Sequence, residues 1–123
     1  MSAVEKIDRF QKAYYKALEC KWKGGAYSIV RHLQRRTQRG HLPQSSNEMD
    51  LIQRGLEILK SPNSIVYEYL PSKDIYFVLY KEWALFFDEN GLWDTVFPPD
   101  VPEKYFNSEK GYKLIGKLSE LIK

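Results

Sequence analysis

SIVYEYLPSKDIYFVLYKEWALFFDENGLWDTVF, residues Ser64 to Phe97, is where the apolar period of the chain changes from that of a helix to that of a strand. Four β-branched and aromatic runs stand in it: IVYEYL, DIYFVLYKE, ALFFDE and LWDTVF. Pro71-Ser72-Lys73, Lys81-Glu82 and Asn90-Gly91 separate them. Consecutive strands joined by such short turns form an antiparallel meander. The firmest turn is Asn90-Gly91, because a two-residue connection between right-twisted strands calls for positive φ at both positions. The third and fourth strands are therefore expected to form a hairpin.

Upstream of the meander the pattern is helical. Val4, Ile7, Phe10, Tyr14, Ala17 and Leu18 recur at helical spacing behind Ser2, which predicts a helix over residues 3–21 that ends at Gly24-Gly25. Ala26, Ile29, Val30 and Leu33 mark a second helix running to about Gln38, stopped by Gly40 and Pro43. Ser45 or Ser46 is expected to cap a third, with Glu48 near its first turn and Met49, Leu51, Ile52, Leu56 and Leu59 on its inner side. Pro62-Asn63 closes it. Downstream, the three prolines of PPDVPEKYF end the sheet. Leu114, Ile115, Leu118, Leu121 and Ile122 then predict a closing helix. The expectation is an α+β fold: N-terminal helices packed on a four-stranded antiparallel β-meander, with a C-terminal helix, in a single domain spanning residues 1–123.

A chain of 123 residues with 43% hydrophobic and 15% aromatic content can bury a core of its own. Its one cysteine, Cys20, excludes an intrachain disulfide, and with only His32 and His41 beside it no zinc spacing can be assembled. There is no Gly-rich phosphate loop. Neither a cofactor nor a metal is expected. MSAVEKIDRF alternates charge with apolar residues, unlike a signal peptide, and no apolar run approaches a membrane span. Met1-Ser2 is read as the start of an open reading frame, and the chain as a cytoplasmic protein without a membrane partner.

The net charge of +3 is unevenly spread. Between Lys21 and Asn47 stand Lys21, Lys23, Arg31, Arg35, Arg36 and Arg39 with no Asp or Glu, while the other thirteen bases face sixteen acids. Basicity focused in this way is how a protein meets a polyanion. On the second helix Ser28, His32, Arg35, Arg36 and Arg39 fall at i, i+4, i+7, i+8 and i+11, and so share one face. A histidine within an arginine row suits metal-independent RNA cleavage. One group takes the 2′-hydroxyl proton, cations hold the phosphate oxygens, and an acid protonates the leaving 5′ oxygen. His32 is the candidate base or acid, Arg35 or Arg36 the phosphate donor, and His41 either a second proton-transfer group or a loop residue. Arg31, Arg39 and Lys23 extend the basic surface, and Tyr27 and Tyr105 are candidates for stacking on an extruded base. Alternation along the fourth strand puts Thr95 on the face of Trp93 and Asp94 on the other. Asp88, Glu89, Asp94 and Asp100 are acids that the fold could bring back onto the basic row.

Two segments carry a resemblance. SIVRHLQRRTQRGHL resembles the helical Lys/Thr-x-His…Arg…Arg-Gly signature of small bacterial toxin-like families, and DTVFPPD resembles their terminal Thr-Val-Tyr/Phe-x-Pro-Asp strand. Both are similar to the barnase-like, EndoU-like, colicin D-like and RelE-like ribonucleases over roughly residues 26–106. The resemblance implies an endoribonuclease acting on tRNA or mRNA, with His32 as the helix histidine, Arg35 and Arg39 as the following basic positions and Thr95 as the strand threonine of the cleft. It also implies an acidic antitoxin or immunity protein as partner. No carboxylate matches a barnase-like general base. The competing expectation is a non-catalytic basic module that binds nucleic acid or an acidic protein without cutting.

Overall fold

Residues 3–69, 75–99 and 111–122 are described by a computed structural model. Three helices come first: α1 (Ala3–Ala17), α2 (Gly25–Gln38) and α3 (Glu48–Lys60). Among the described residues five strands follow, β1 (Ile65–Tyr69), β2 (Ile75–Tyr80), β3 (Trp83–Asp88), β4 (Trp93–Phe97) and β5 (Tyr112–Lys117), and then a single-turn helix, α4 (Leu118–Leu121). The sheet is antiparallel throughout, in the order β4-β3-β2-β1-β5. The α+β class and the meander are thus as expected, with one strand added.

That strand corrects the closing helix. Residues 112–117 pair with β1, and only Leu118–Leu121 is helical. Leu114 and Ile115 fit a helical stripe by spacing, but pairing sends them to opposite faces: Leu114 is 59% exposed, while Ile115 packs against the core. The reason is the backbone of β1, whose second edge needs hydrogen-bond partners once Val66 is fully buried. α4 docks at the α3–β1 corner, where Leu118 N–H donates to Ser64 O and Ser119 N–H to Pro62 O.

One face of the sheet packs on α1 and α3. Phe10, Tyr14 and Ala17 meet Leu51, Ile58 and Leu59 above Val66, Val78, Leu85, Phe87, Trp93 and Val96. α3 is capped by Asn47 and not by Ser45 or Ser46. Asn47 Oδ1 accepts from Asp50 N–H at 3.0 Å and Asp50 Oδ2 accepts from Asn47 N–H at 2.8 Å, so each side chain satisfies the other residue's orphan donor. The other face of the sheet carries a second apolar group around Ala84 and Phe86, with Tyr67, Tyr69, Leu79, Phe97 and Tyr112 against it.

Trp93 is the pin of the structure. Its side chain is fully buried, its ring rests on the backbone of Gly55, and its Nε1–H donates to Ala17 O at 2.8 Å. Its main chain bonds the α1–α2 connector, with Trp93 N–H donating to Lys21 O at 2.8 Å and Lys23 N–H to Trp93 O at 2.9 Å. The connector thus caps the free edge of β4, which is why α1 stops at Ala17 and does not reach residue 21: the chain must leave the helix, through Cys20 at φ 58°, to lie along the strand. The β3–β4 hairpin also departs from expectation. Positive φ occurs at Gly91 (74°) and not at Asn90, and the Asp88 carboxylate receives the N–H groups of Asn90 and Leu92. A Cβ on Gly91 would lie 2.5 Å from Ala17 N, so conformation and close approach to α1 both require glycine there.

Candidate phosphate-binding cleft

The site is built from α2 and the end of β4. Trp22, held by the edge pairing with Trp93, stacks on His32 with ring centroids 5.2 Å apart, and so fixes the roll of α2 against the sheet. On the sheet side, a β-bulge decides what meets α2. Phe86 pairs with Thr95 and Phe87 with Trp93, so Asp94 is the extra residue of β4. Trp93 and Val96 both point into the core, and Asp94 and Thr95 both face α2. This overturns the strict alternation that put Thr95 on the face of Trp93 and Asp94 on the opposite one.

The two walls enclose an open cleft of about 440 Å³ lined by Arg31, His32, Arg35, Arg36, Arg39, Phe86, Asp94, Thr95 and Phe97. His32 Nδ1 is 3.4 Å from Thr95 Oγ1. Burial lowers the His32 pKa from the usual 6.5. Arg35, Arg36 and Arg31 lower it further, and the nearby Asp94 carboxylate partly opposes them. The imidazole is therefore neutral at pH 7.

Arg36 has the more unusual environment. It is 2% exposed, its guanidinium lies 5.7 Å over the ring of Phe97, and Phe97 in turn meets Phe86 edge to face at 5.1 Å. Nε and Nη1 are buried without a hydrogen-bond acceptor among the described residues. Burial, and then Arg39 and Arg35, bring its pKa down from 12.5 to about 10, so it remains a cation. Among the described residues no carboxylate pairs with Arg31, Arg35, Arg36 or Arg39. The C-terminal end of the α2 dipole offsets some of this charge, since Arg35 and Arg36 stand in its last turn. It does not supply the missing acceptors. A buried cation without a counter-charge is costly, and an anion entering the cleft relieves that cost.

The expected site residues divide accordingly. His32, Arg31, Arg35, Arg36, Arg39 and Thr95 come together. His41 does not: it lies on the α2–α3 connector, its ring edge-on to Trp83 at 6.5 Å, outside the cleft. Lys23 is exposed on the α1–α2 connector and Tyr27 is 75% exposed on the first turn of α2, and neither lines the cleft. Tyr105 and Asp100 lie outside the described residues. Of the other acids considered as internal counter-charges, Asp88 closes the hairpin and Glu89 pairs with Arg9 at 3.3 Å; only Asp94 reaches the basic row. The sequence reading named Asp94 as an acid that the fold could bring to the basic row but put it on the face away from Thr95, and it missed Phe86 and Phe97 as wall residues, because a bulge leaves no mark in the apolar pattern.

A larger depression of about 590 Å³ beside α3 has a mixed lining that includes Asp50, Arg54, Glu57 and Lys60, and brings no histidine to it. Among the described residues no three His, Cys, Asp or Glu side chains are grouped to hold a metal. No helix among them is long and apolar enough to cross a membrane. No protein-family model, curated protein or solved structure matches the chain.

Proposed function

We propose that the protein is a metal-independent endoribonuclease of the toxin-like kind, with the α2–β4 cleft as its phosphodiester site. The observation that carries this reading is the buried Arg36 guanidinium, short of acceptors and of any paired acid among the described residues, in the same wall as a neutral histidine. The first feature asks for an anion, and the second can take a proton beside it.

In the tautomer that donates Nδ1–H to Thr95 Oγ1, Nε2 is the basic atom of His32. It accepts the 2′-hydroxyl proton as the 2′ oxygen forms its bond to phosphorus. Arg35 holds the non-bridging oxygens as their charge grows, and the nearby Arg36 cation adds to the positive field of the cleft. The bond from phosphorus to the 5′ oxygen breaks, and the leaving oxygen takes a proton from water in the open cleft. The products are a 2′,3′-cyclic phosphate and a 5′-hydroxyl. Cytoplasmic tRNA or mRNA is the proposed substrate, and an acidic antitoxin or immunity protein covering Arg35, Arg36 and Arg39 the proposed inhibitor.

The test is incubation of the purified protein with tRNA or total RNA in EDTA. Discrete fragments with 2′,3′-cyclic ends are expected, and His32→Ala should slow their formation by roughly 10²–10⁴-fold while RNA retention persists. The second reading, a module that binds RNA or an acidic protein without cutting, is favoured by the position of His41, which leaves the cleft one histidine. Retained but intact RNA would establish it in place of the nuclease.

A further inference from the structure

α2 and β4 run past one another in matched steps. His32 meets Thr95 at 3.4 Å, and Arg36 lies over Phe97 at 5.7 Å. From His32 to Arg36 is four helical residues, about 6 Å along the axis. From Thr95 to Phe97 is two strand residues, about 6.7 Å. The cleft therefore has two stations in register, each with one donor from α2 and one neighbour from β4. Arg35 and Asp94 act electrostatically on the first, Arg39 and Arg35 on the second.

We infer that the cleft takes two successive phosphates of a single-stranded RNA, the one to be attacked at His32 and Thr95 and its neighbour at Arg36. This rests on the proposed function and specifies its substrate. The second station is not a base-stacking platform, because the guanidinium of Arg36 already lies over the Phe97 ring. Phe97 instead fixes the plane of a cation that lacks acceptors at Nε and Nη1 among the described residues. Single strands bind in basic grooves that track one backbone, and the repeat of these stations suits one phosphate per step. A duplex carries its two backbones on a cylinder far wider than a 440 Å³ cleft and would touch only its rim.

The test uses thymidine oligonucleotides, which lack the 2′-hydroxyl and cannot be cut. TpT presents one phosphate and TpTpT two. Binding is followed by NMR on the His32 and Trp22 ring signals at several salt concentrations. In the unmodified protein the second phosphate should tighten binding about tenfold at low salt and steepen the fall of log K with log salt by about 0.7. Arg36→Met, which keeps the length of the buried stem, should bind the two oligonucleotides alike, and Arg36→Gln should repeat that result. Equal binding of TpT and TpTpT by the unmodified protein overturns the inference, as does an increment that survives in both Arg36 variants. It is also overturned if an oligoglutamate peptide binds through Arg36 while the oligonucleotides do not. If RNA is never cut yet the increment depends on Arg36, the cleavage reading fails and the two-phosphate site stands. If RNA is cut without an increment, the two-phosphate site alone fails.

Discussion

Arg36→Met should make the unliganded protein more stable, although it removes a charge from the proposed binding site. The Arg36 pKa of about 10 against an ordinary 12.5 corresponds, at ~1.4 kcal/mol per pH unit, to about 3 kcal/mol by which the fold disfavours the cation. The sign is fixed by linkage: the folded pKa is the lower one, so the cost is full below pH 10 and fades as pH rises toward 12.5. Methionine retains the packing of the stem against Phe97 and loses a cation–π contact worth roughly 1–2 kcal/mol when desolvated. The balance is a gain of about 1–2 kcal/mol, or roughly 3–10 °C in Tm for a chain of this size. Calorimetry at pH 7 and low salt reads it directly. Phosphate should raise the Tm of the unmodified protein by more than that of Arg36→Met, because only the former has a buried cation to neutralise besides the site at His32 and Thr95. A variant equally or less stable than the parent without phosphate would refute the reasoning, since Arg36 would then have a counter-charge that the described residues do not contain.

Three further outcomes are expected. Because the folded protein holds the His32 pKa below 6.5, the unfolded chain binds the proton first as pH falls, so stability should drop below pH 6.5 and His32→Gln should flatten that part of the profile in urea titrations at pH 7.5 and 5. Asp94→Asn should lower the His32 pKa further, as followed by NMR titration of the imidazole, and an unchanged value would remove Asp94 from the electrostatics of the site. Gly55→Ala should destabilise by about 1–2 kcal/mol in spite of the better helix propensity of alanine, because its Cβ would stand 2.4 Å from Trp93 Cζ3; the urea midpoint decides it.

The sequence alone determined what depends on neighbours along the chain. The period of two over residues 65–97, broken at short turns, is enough for a meander, and the bounds of α2 follow from its apolar spacing and Gly40. Helical phase also placed His32, Arg35, Arg36 and Arg39 on one face, and all four line the cleft. Tertiary structure decided what depends on distant partners. β5 is a strand because β1 has an edge to satisfy, although its leucine and isoleucine spacing suits a helix equally well. α1 ends early because Trp93 binds the connector, and His41 is drawn to Trp83, away from the cleft. The bulge at Asp94 had the largest effect on the site. It turns both Asp94 and Thr95 toward α2, so that a row of like charges, unfavourable on an isolated helix, faces a second wall with room between them for an anion.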